Sequence, residues 1–147
     1  MAKEIEKKFL VNSTSYREAS TARHIIIQGY LNRDKDATVR VRILDDKAYL
    51  TIKGRNRGII RDEWEYPIPV ADARDMLERC ARGTVIEKTR YIVPYGNLCW
   101  EVDEFRGKHS GLVLAEIELP DETTAFNLPD FIGKEVSGDP RYYNSNL

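Results

Sequence analysis

Lys3-Glu4-Ile5-Glu6-Lys7-Lys8-Phe9-Leu10-Val11 is the stretch on which the reading of this chain turns. It is short and changes character residue by residue, which predicts a strand rather than a helix. Side chains alternate faces along a strand, so Glu4, Glu6 and Lys8 fall on one side. Ile5, Phe9 and Val11 fall on the other, with Lys7 as an exposed interruption. Two carboxylates one strand step apart can share a divalent cation, because hard cations take carboxylate oxygens. The ammonium one step further can hold an anion that the same cation touches. A half-buried strand with a solvated charged face would look the same. What decides between them is whether later strands repeat the pattern.

They repeat it as paired like charges. Strands are predicted at His24–Leu31, Thr38–Leu44, Tyr49–Lys53, Arg61–Tyr66, Val85–Val93, Cys99–Asp103 and Leu114–Leu119. One face of each in turn carries Gln28 and Tyr30, Arg40 and Arg42, Lys53, Glu63 and Glu65, Lys88 and Arg90, Glu101 and Asp103, and Glu116 and Glu118. Two helices are predicted. Ser13–Arg23 would be capped by Ser13 or Thr14. Val70–Arg82 would have Asp72 as its cap, Gly83 as its stop and Ala73, Leu77 and Cys80 as its apolar stripe. The basic loop Gly54-Arg55-Asn56-Arg57-Gly58 has no Walker-type continuation and reads as a solvated hairpin connection. Asp139-Pro140-Arg141-Tyr142-Tyr143 fits either a short helix or a loop.

About eight strands with one long helix predict a mainly β, α+β fold, with helices packed outside an antiparallel sheet. Like-charge neighbours on an open sheet cost energy without return. A closed barrel of roughly eight strands would gather those faces around one narrow lumen. There the acids and bases must be balanced by each other, by water, by metal or by ligand. Such a lumen favours a polyanion gripped by Lys8, Arg40, Arg42, Lys53, Lys88 and Arg90, with carboxylates holding divalent cations that bridge to phosphate oxygens.

Composition excludes several other classes. The 147 residues are long enough for one domain, 1–147, with a sizeable core. A net charge of −1, from 23 basic and 24 acidic residues, argues against a generic nucleic-acid binder. The longest aliphatic run, Ile25-Ile26-Ile27, cannot span a membrane, and the N-terminus lacks a signal peptide's apolar core. A soluble, cytoplasmic protein is expected, with a homodimer left open. The two cysteines, Cys80 and Cys99, form no disulfide framework, and Cys80 reads as core. Trp64 and Trp100 should pack under helices, and His24 and His109 should be structural or exposed. Arg61 and Glu101 read as a salt link inside the lumen or at its rim.

Glu4-Ile5-Glu6-Lys7-Lys8 matches the E-x-E-x-K signature of the CYTH superfamily, also called triphosphate tunnel metalloenzymes. The similarity runs on through Gln28-Gly29-Tyr30-Leu31, Arg40-x-Arg42, Leu50-Thr51-Ile52-Lys53, Glu63-x-Glu65, Glu87-Lys88-Thr89-Arg90 and Asp103 to Glu116-Ile117-Glu118. The chain most resembles the short bacterial members. The resemblance implies an eight-stranded antiparallel tunnel that hydrolyses or rearranges triphosphates with magnesium or manganese. It assigns triphosphate binding to Lys8, Arg40, Arg42, Lys53, Lys88 and Arg90. The leading metal carboxylates would be Glu4, Glu6, Glu116 and Glu118, with Glu63, Glu65 and Asp103 supporting. Lys8 with Tyr30 would occupy the positions of a proposed Lys-Tyr base. The leading expectation is hydrolysis of inorganic triphosphate. The rivals are an adenylate cyclase of the class IV type, a thiamine triphosphatase, and a non-catalytic polyphosphate-binding module.

Overall fold

Every strand divides its side chains between two environments, and that division sets the architecture. The computed structural model describes residues 2–147. In chain order the strands are β1 (Ala2–Val11), β2 (Ala22–Asn32), β3 (Ala37–Leu44), β4 (Lys47–Gly54), β5 (Ile60–Ile68), β6 (Arg82–Tyr95), β7 (Leu98–Phe105), β8 (Val113–Glu118) and β9 (Ile132–Glu135). The helices are α1 (Tyr16–Ala19) and α2 (Val70–Arg79). The sheet runs β5-β4-β3-β2-β6-β7-β8-β1-β9, and a further β5–β1 pairing closes eight strands into an antiparallel barrel. β1 makes the closure. Its first half pairs with β5, Glu4 lying opposite Arg61, and its second half pairs with β8, Lys8 lying opposite Glu116. β9 lies alongside the later part of β1, outside the ring.

The apolar faces point outward and are covered over most of the barrel. Phe9, Trp100 and Ile117 pack with Tyr16 of α1 and with Phe131 and Ile132. The indole of Trp100 meets Phe9 edge-on at 5.4 Å. On the other flank, Ala73 and Leu77 of α2, one helical turn apart, pack on Val41 and Ile43. Full burial of a side chain such as Leu77 stabilises by about 1.5–3 kcal/mol. Gly29 makes the close approach possible, since a Cβ there would stand 2.9 Å from Leu77 Cδ2.

The inner face changes character along the barrel. Moving along β1, Glu4, Glu6 and Lys8 give way to Leu10. Similarly Lys88 gives way to Ile86, Asp103 to Phe105, and Glu116 to Leu114. These apolar positions form a cluster with Tyr142 and Leu147, so the C-terminal segment plugs the lumen there.

Several sequence expectations are corrected. The helix predicted over Ser13–Arg23 shrinks to Tyr16–Ala19, because Thr21, Ala22 and Arg23 join the β2–β6 ladder and strand pairing overrides local propensity. α2 stops at Arg79, follows Pro69 rather than an aspartate cap, and carries Asp72 inside its first turn. Gly83, at φ 76°, sits within the start of β6. Cys80 is exposed rather than core. Trp100 is fully buried, but Trp64 is only half-buried on β5, where no helix covers it. Lys7 is also half-buried, its ammonium lying over the Phe126 ring. Pro140–Tyr142 is a single 3-10 turn, with the Asp139 carboxylate accepting from the Arg141 amide. No helix among the described residues is long and apolar enough to cross a membrane.

Candidate active site

Strand alternation delivers the charged residues to a cavity of about 110 Å3 inside the barrel, lined by Glu4, Glu6, Lys8, Tyr30, Arg40 and Glu116 among others. Arg42, Lys53, Lys88 and Arg90 border the same space. All six basic residues singled out from the sequence therefore converge, as do three of the acids.

Most of these charges are paired. Lys53 Nζ lies 2.8 Å from Glu4 and 3.5 Å from Glu63. Lys8 Nζ lies 3.5 Å from Glu116 and donates to the Tyr142 carbonyl at 3.0 Å. Asp103 carries two cations. The Arg90 fork donates to it through Nε at 2.8 Å and Nη2 at 2.9 Å, and Lys88 Nζ stands 2.8 Å away. Arg90 also reaches Glu101 at 3.2 Å.

Among the arginines expected to bind triphosphate, two are left short of negative charge. Arg42 donates to the neutral Gln28 Oε1 at 2.8 Å and has no carboxylate within 4.0 Å among the described residues. Arg40 donates from Nη2 to Thr51 at 3.3 Å and meets the half-exposed Glu65 only at 4.0 Å. Its Nε is buried with no partner. Buried polar groups are almost always hydrogen-bonded, and an orphaned one inside a cavity marks a place for a ligand or water. Burial, with Arg40 and Arg90 beside it, pulls the Arg42 guanidinium down to about 9. Burial likewise pulls Lys88 down to about 7; Asp103 opposes this, but Arg90 has already claimed that carboxylate, and Arg90 and Arg42 push the same way as burial. A polyanion is the ligand that would relieve this excess.

The carboxylates form two neighbouring pairs, Glu4 hydrogen-bonded with Glu63 and Glu6 with Glu116. Burial pushes Glu4 upward, but Lys53 and its hydrogen bonds hold it at about 2. Burial and its bond to Glu4 raise Glu63 to about 7. Glu6 is raised well above the carboxylate range by burial, then by Glu116 and Glu4. Burial opposes ionisation of Glu116 as well, yet Lys8, Arg90 and Lys88 keep it well below that range. Carboxyls crowded enough to oppose one another's ionisation are a donor set that a divalent cation can take over. In that sense the residues fit a hard metal ion. Among the described residues no three acids, histidines or cysteines already stand as a coordination shell.

The structure separates the expected metal residues into groups. Glu4, Glu6 and Glu116 line the cavity, and Glu63 joins them through Glu4. Glu118 is exposed, and burial of part of its side chain, with Glu4 and then Glu101 nearby, raises its carboxyl. Glu65 sits at the margin, accepting from Thr51 at 3.2 Å. Asp103 is committed to Arg90 and Lys88. Tyr30 is buried and borders the cavity with Lys8, but no hydrogen bond joins the two. The salt link expected at Arg61 is absent among the described residues, where its guanidinium instead holds Gly54 O and Thr38 Oγ1.

Sequence reasoning missed two contributors. Gln28 is fully buried, accepting from Arg42 and donating to Asn144 at 2.9 Å. Its place beside Tyr30 on the inward face of β2 was the available signal. Asn144, which also accepts from Lys88 at 2.7 Å, lies in an irregular tail without periodicity and gave none.

Residues 2–143 match the CYTH domain family. The chain is 55% identical over 148 residues to an inorganic triphosphatase of Acetivibrio thermocellus, covering 100% of this chain and 94% of that protein. It is 36% identical over 149 residues to an inorganic triphosphatase of Nitrosomonas europaea, covering 98% and 95%. A crystal structure of an inorganic triphosphatase superposes with a TM-score of 0.69 at 32% identity, covering 97% of this chain and 95% of that one.

Proposed function

Because the chain belongs to the CYTH domain family, we propose that it is a metal-dependent triphosphatase acting on inorganic triphosphate, with Mg2+ or Mn2+ as the cofactor. The observation that carries this reading is the pair Arg40 and Arg42, buried in a cavity without close carboxylates, one of them with an orphaned Nε. The named activity of full-length relatives at 55% and 36% identity supports it.

In this reading Arg40 and Arg42 bind phosphoryl oxygens directly. Lys53, Lys88 and Arg90 neutralise the rest of the polyanion, exchanging part of their present carboxylate contacts for phosphate. Asp103 fixes the Arg90 fork and Lys88, so that both present a set geometry. Glu4, Glu6 and Glu116 hold the metal, with Glu63, Glu65 and Glu118 supporting from the margin. A bound divalent ion supplies Lewis-acid stabilisation of charge on the transferring phosphoryl group. Water attacks a terminal phosphorus, and the bridging oxygen leaves on pyrophosphate. Lys8 and Tyr30 are the proposed group that takes the proton from that water. The 147 residues act as one domain of a soluble, cytoplasmic protein.

The test is phosphate release from inorganic triphosphate, ATP and thiamine triphosphate with magnesium or manganese, with products identified. Glu4→Gln and Glu6→Gln keep side-chain shape but remove charge, and should nearly abolish metal-dependent release while triphosphate binding persists. Wild-type release in both variants would refute the metal assignment. Cyclic AMP and pyrophosphate from ATP, without phosphate release, would refute the hydrolase assignment.

A further inference from the structure

Arg61 is a lumen cation that the ion-pair network leaves out. It faces the cavity from β5, opposite Glu4 in the β1–β5 ladder. Glu4 gives its carboxylate to Lys53, and among the described residues no carboxylate lies within 4.0 Å of the Arg61 guanidinium. Two uncharged acceptors hold it instead. Nε donates to Gly54 O at 2.6 Å and Nη2 donates to Thr38 Oγ1 at 2.8 Å. A guanidinium presents five N–H donors in one rigid plane. This grip fixes the plane and leaves the other N–H groups without a protein partner. A half-buried cation with no counter-charge costs free energy in the empty protein.

Its position gives that cost a use. Thr38 is one strand step from Arg40 on the inner face of β3, and Arg42 is the step beyond. Arg61, bonded to Thr38, therefore continues the Arg42–Arg40 row toward the Gly54–Gly58 loop. Asn56 and Tyr143 border the cavity there, the Asn56 amide donating to the Tyr143 hydroxyl at 3.5 Å. Resting on the triphosphatase reading, we propose that Arg61 is a substrate-binding residue: its unpartnered N–H groups take the phosphoryl group at the loop-side end of the chain, and so favour three linked phosphates over two. A diphosphate seated on Arg40 and Arg42 falls short of it.

The experiment compares wild type, Arg61→Gln and Arg61→Lys. Kd is measured for triphosphate and for pyrophosphate by calorimetry with metal chelated. Steady-state KM and kcat for triphosphate with metal, and the thermal midpoint, are measured beside it. Arg61→Gln should weaken triphosphate binding about 10- to 100-fold and raise KM accordingly, leaving pyrophosphate binding unchanged. Arg61→Lys keeps the charge but not the planar fork, and should recover part of the preference. Equal losses for both ligands with a lowered midpoint would make Arg61 a brace for the loop and overturn the proposal. Unchanged triphosphate affinity in Arg61→Gln would overturn it as well. Wild-type protein that neither binds nor hydrolyses triphosphate would refute the underlying reading instead, which is a separate result.

Discussion

Replacing Gln28 by glutamate tests whether the neutrality of the site's buried framework is functional. Gln28 is fully buried, accepts from Arg42 Nε at 2.8 Å and donates to Asn144 Oδ1 at 2.9 Å. Glutamate has nearly the same shape but hands Arg42 the carboxylate it lacks; it removes one donor to Asn144 Oδ1, which still accepts from Lys88 Nζ. The present bond already has an ionised donor and is worth about 1.5–3 kcal/mol; glutamate adds to it the attraction of an opposite charge. The new pair also relieves the burial and like-charge repulsion that now pull Arg42 down to about 9. Burying a carboxylate offsets part of this, so Gln28→Glu should gain about 1 kcal/mol of stability. Binding should move the other way. Arg42, already neutralised, offers phosphate little, and losing one charge-assisted contact weakens triphosphate by about 1.5–3 kcal/mol, roughly 10- to 150-fold. The assay pairs denaturant unfolding with calorimetric titration of metal-free triphosphate. Full triphosphate affinity in the variant, or lost affinity together with a destabilised fold, would refute the reasoning.

Arg40→Gln should weaken triphosphate binding and turnover by about 1.5–3 kcal/mol, whereas Arg57→Gln, at an exposed arginine already paired with Asp62, should cost far less; equal losses would indicate a general field rather than specific contacts. Burial opposes ionisation of Glu104, yet bonds from Arg17 and Tyr16 hold its carboxyl below the ordinary value. Its contribution is therefore full above the unfolded-state pKa and lost as pH falls through the folded one, so Glu104→Gln should lower stability most at neutral pH and least in acid, flattening the acid limb of a stability–pH curve. Gly29→Ala would press a methyl to 2.9 Å from Leu77 Cδ2 and 3.4 Å from Ala81 Cβ, and chemical denaturation should show a loss of about 1 kcal/mol.

The barrel was legible because its lumen is charged. Alternation alone placed Glu4, Arg40, Lys88 and Glu116 on inward faces, and like charges in pairs made an open sheet the costlier reading. The same alternation misled where it was incomplete. Trp64 shares the outward parity of Trp100 but is only half-buried, and strand parity says nothing about what covers a face. The pairing choices inside the lumen were also invisible. Nothing in the order of residues indicates that Asp103 faces two cations while Arg42 faces an amide, because those partners are fixed by register between strands distant in sequence. The Ser13–Arg23 segment failed for a related reason, since its last residues are claimed by β6.

The double engagement of β1 has a consequence for how the protein comes into being. Glu6 finds Glu118 and Lys8 finds Glu116 only after the more than one hundred residues between them have been synthesised. Contacts of such sequence separation form slowly, so the β1–β8 side of the cavity closes after the strands between them have been made. Until then the edge of β1 that meets β8 stays unpaired, a condition in which strands aggregate. Its Lys3, Glu4, Glu6, Lys7 and Lys8 are the kind of residues that guard against this. Charges that line the finished barrel thus also serve as solubilising groups on a strand that must wait for its partner.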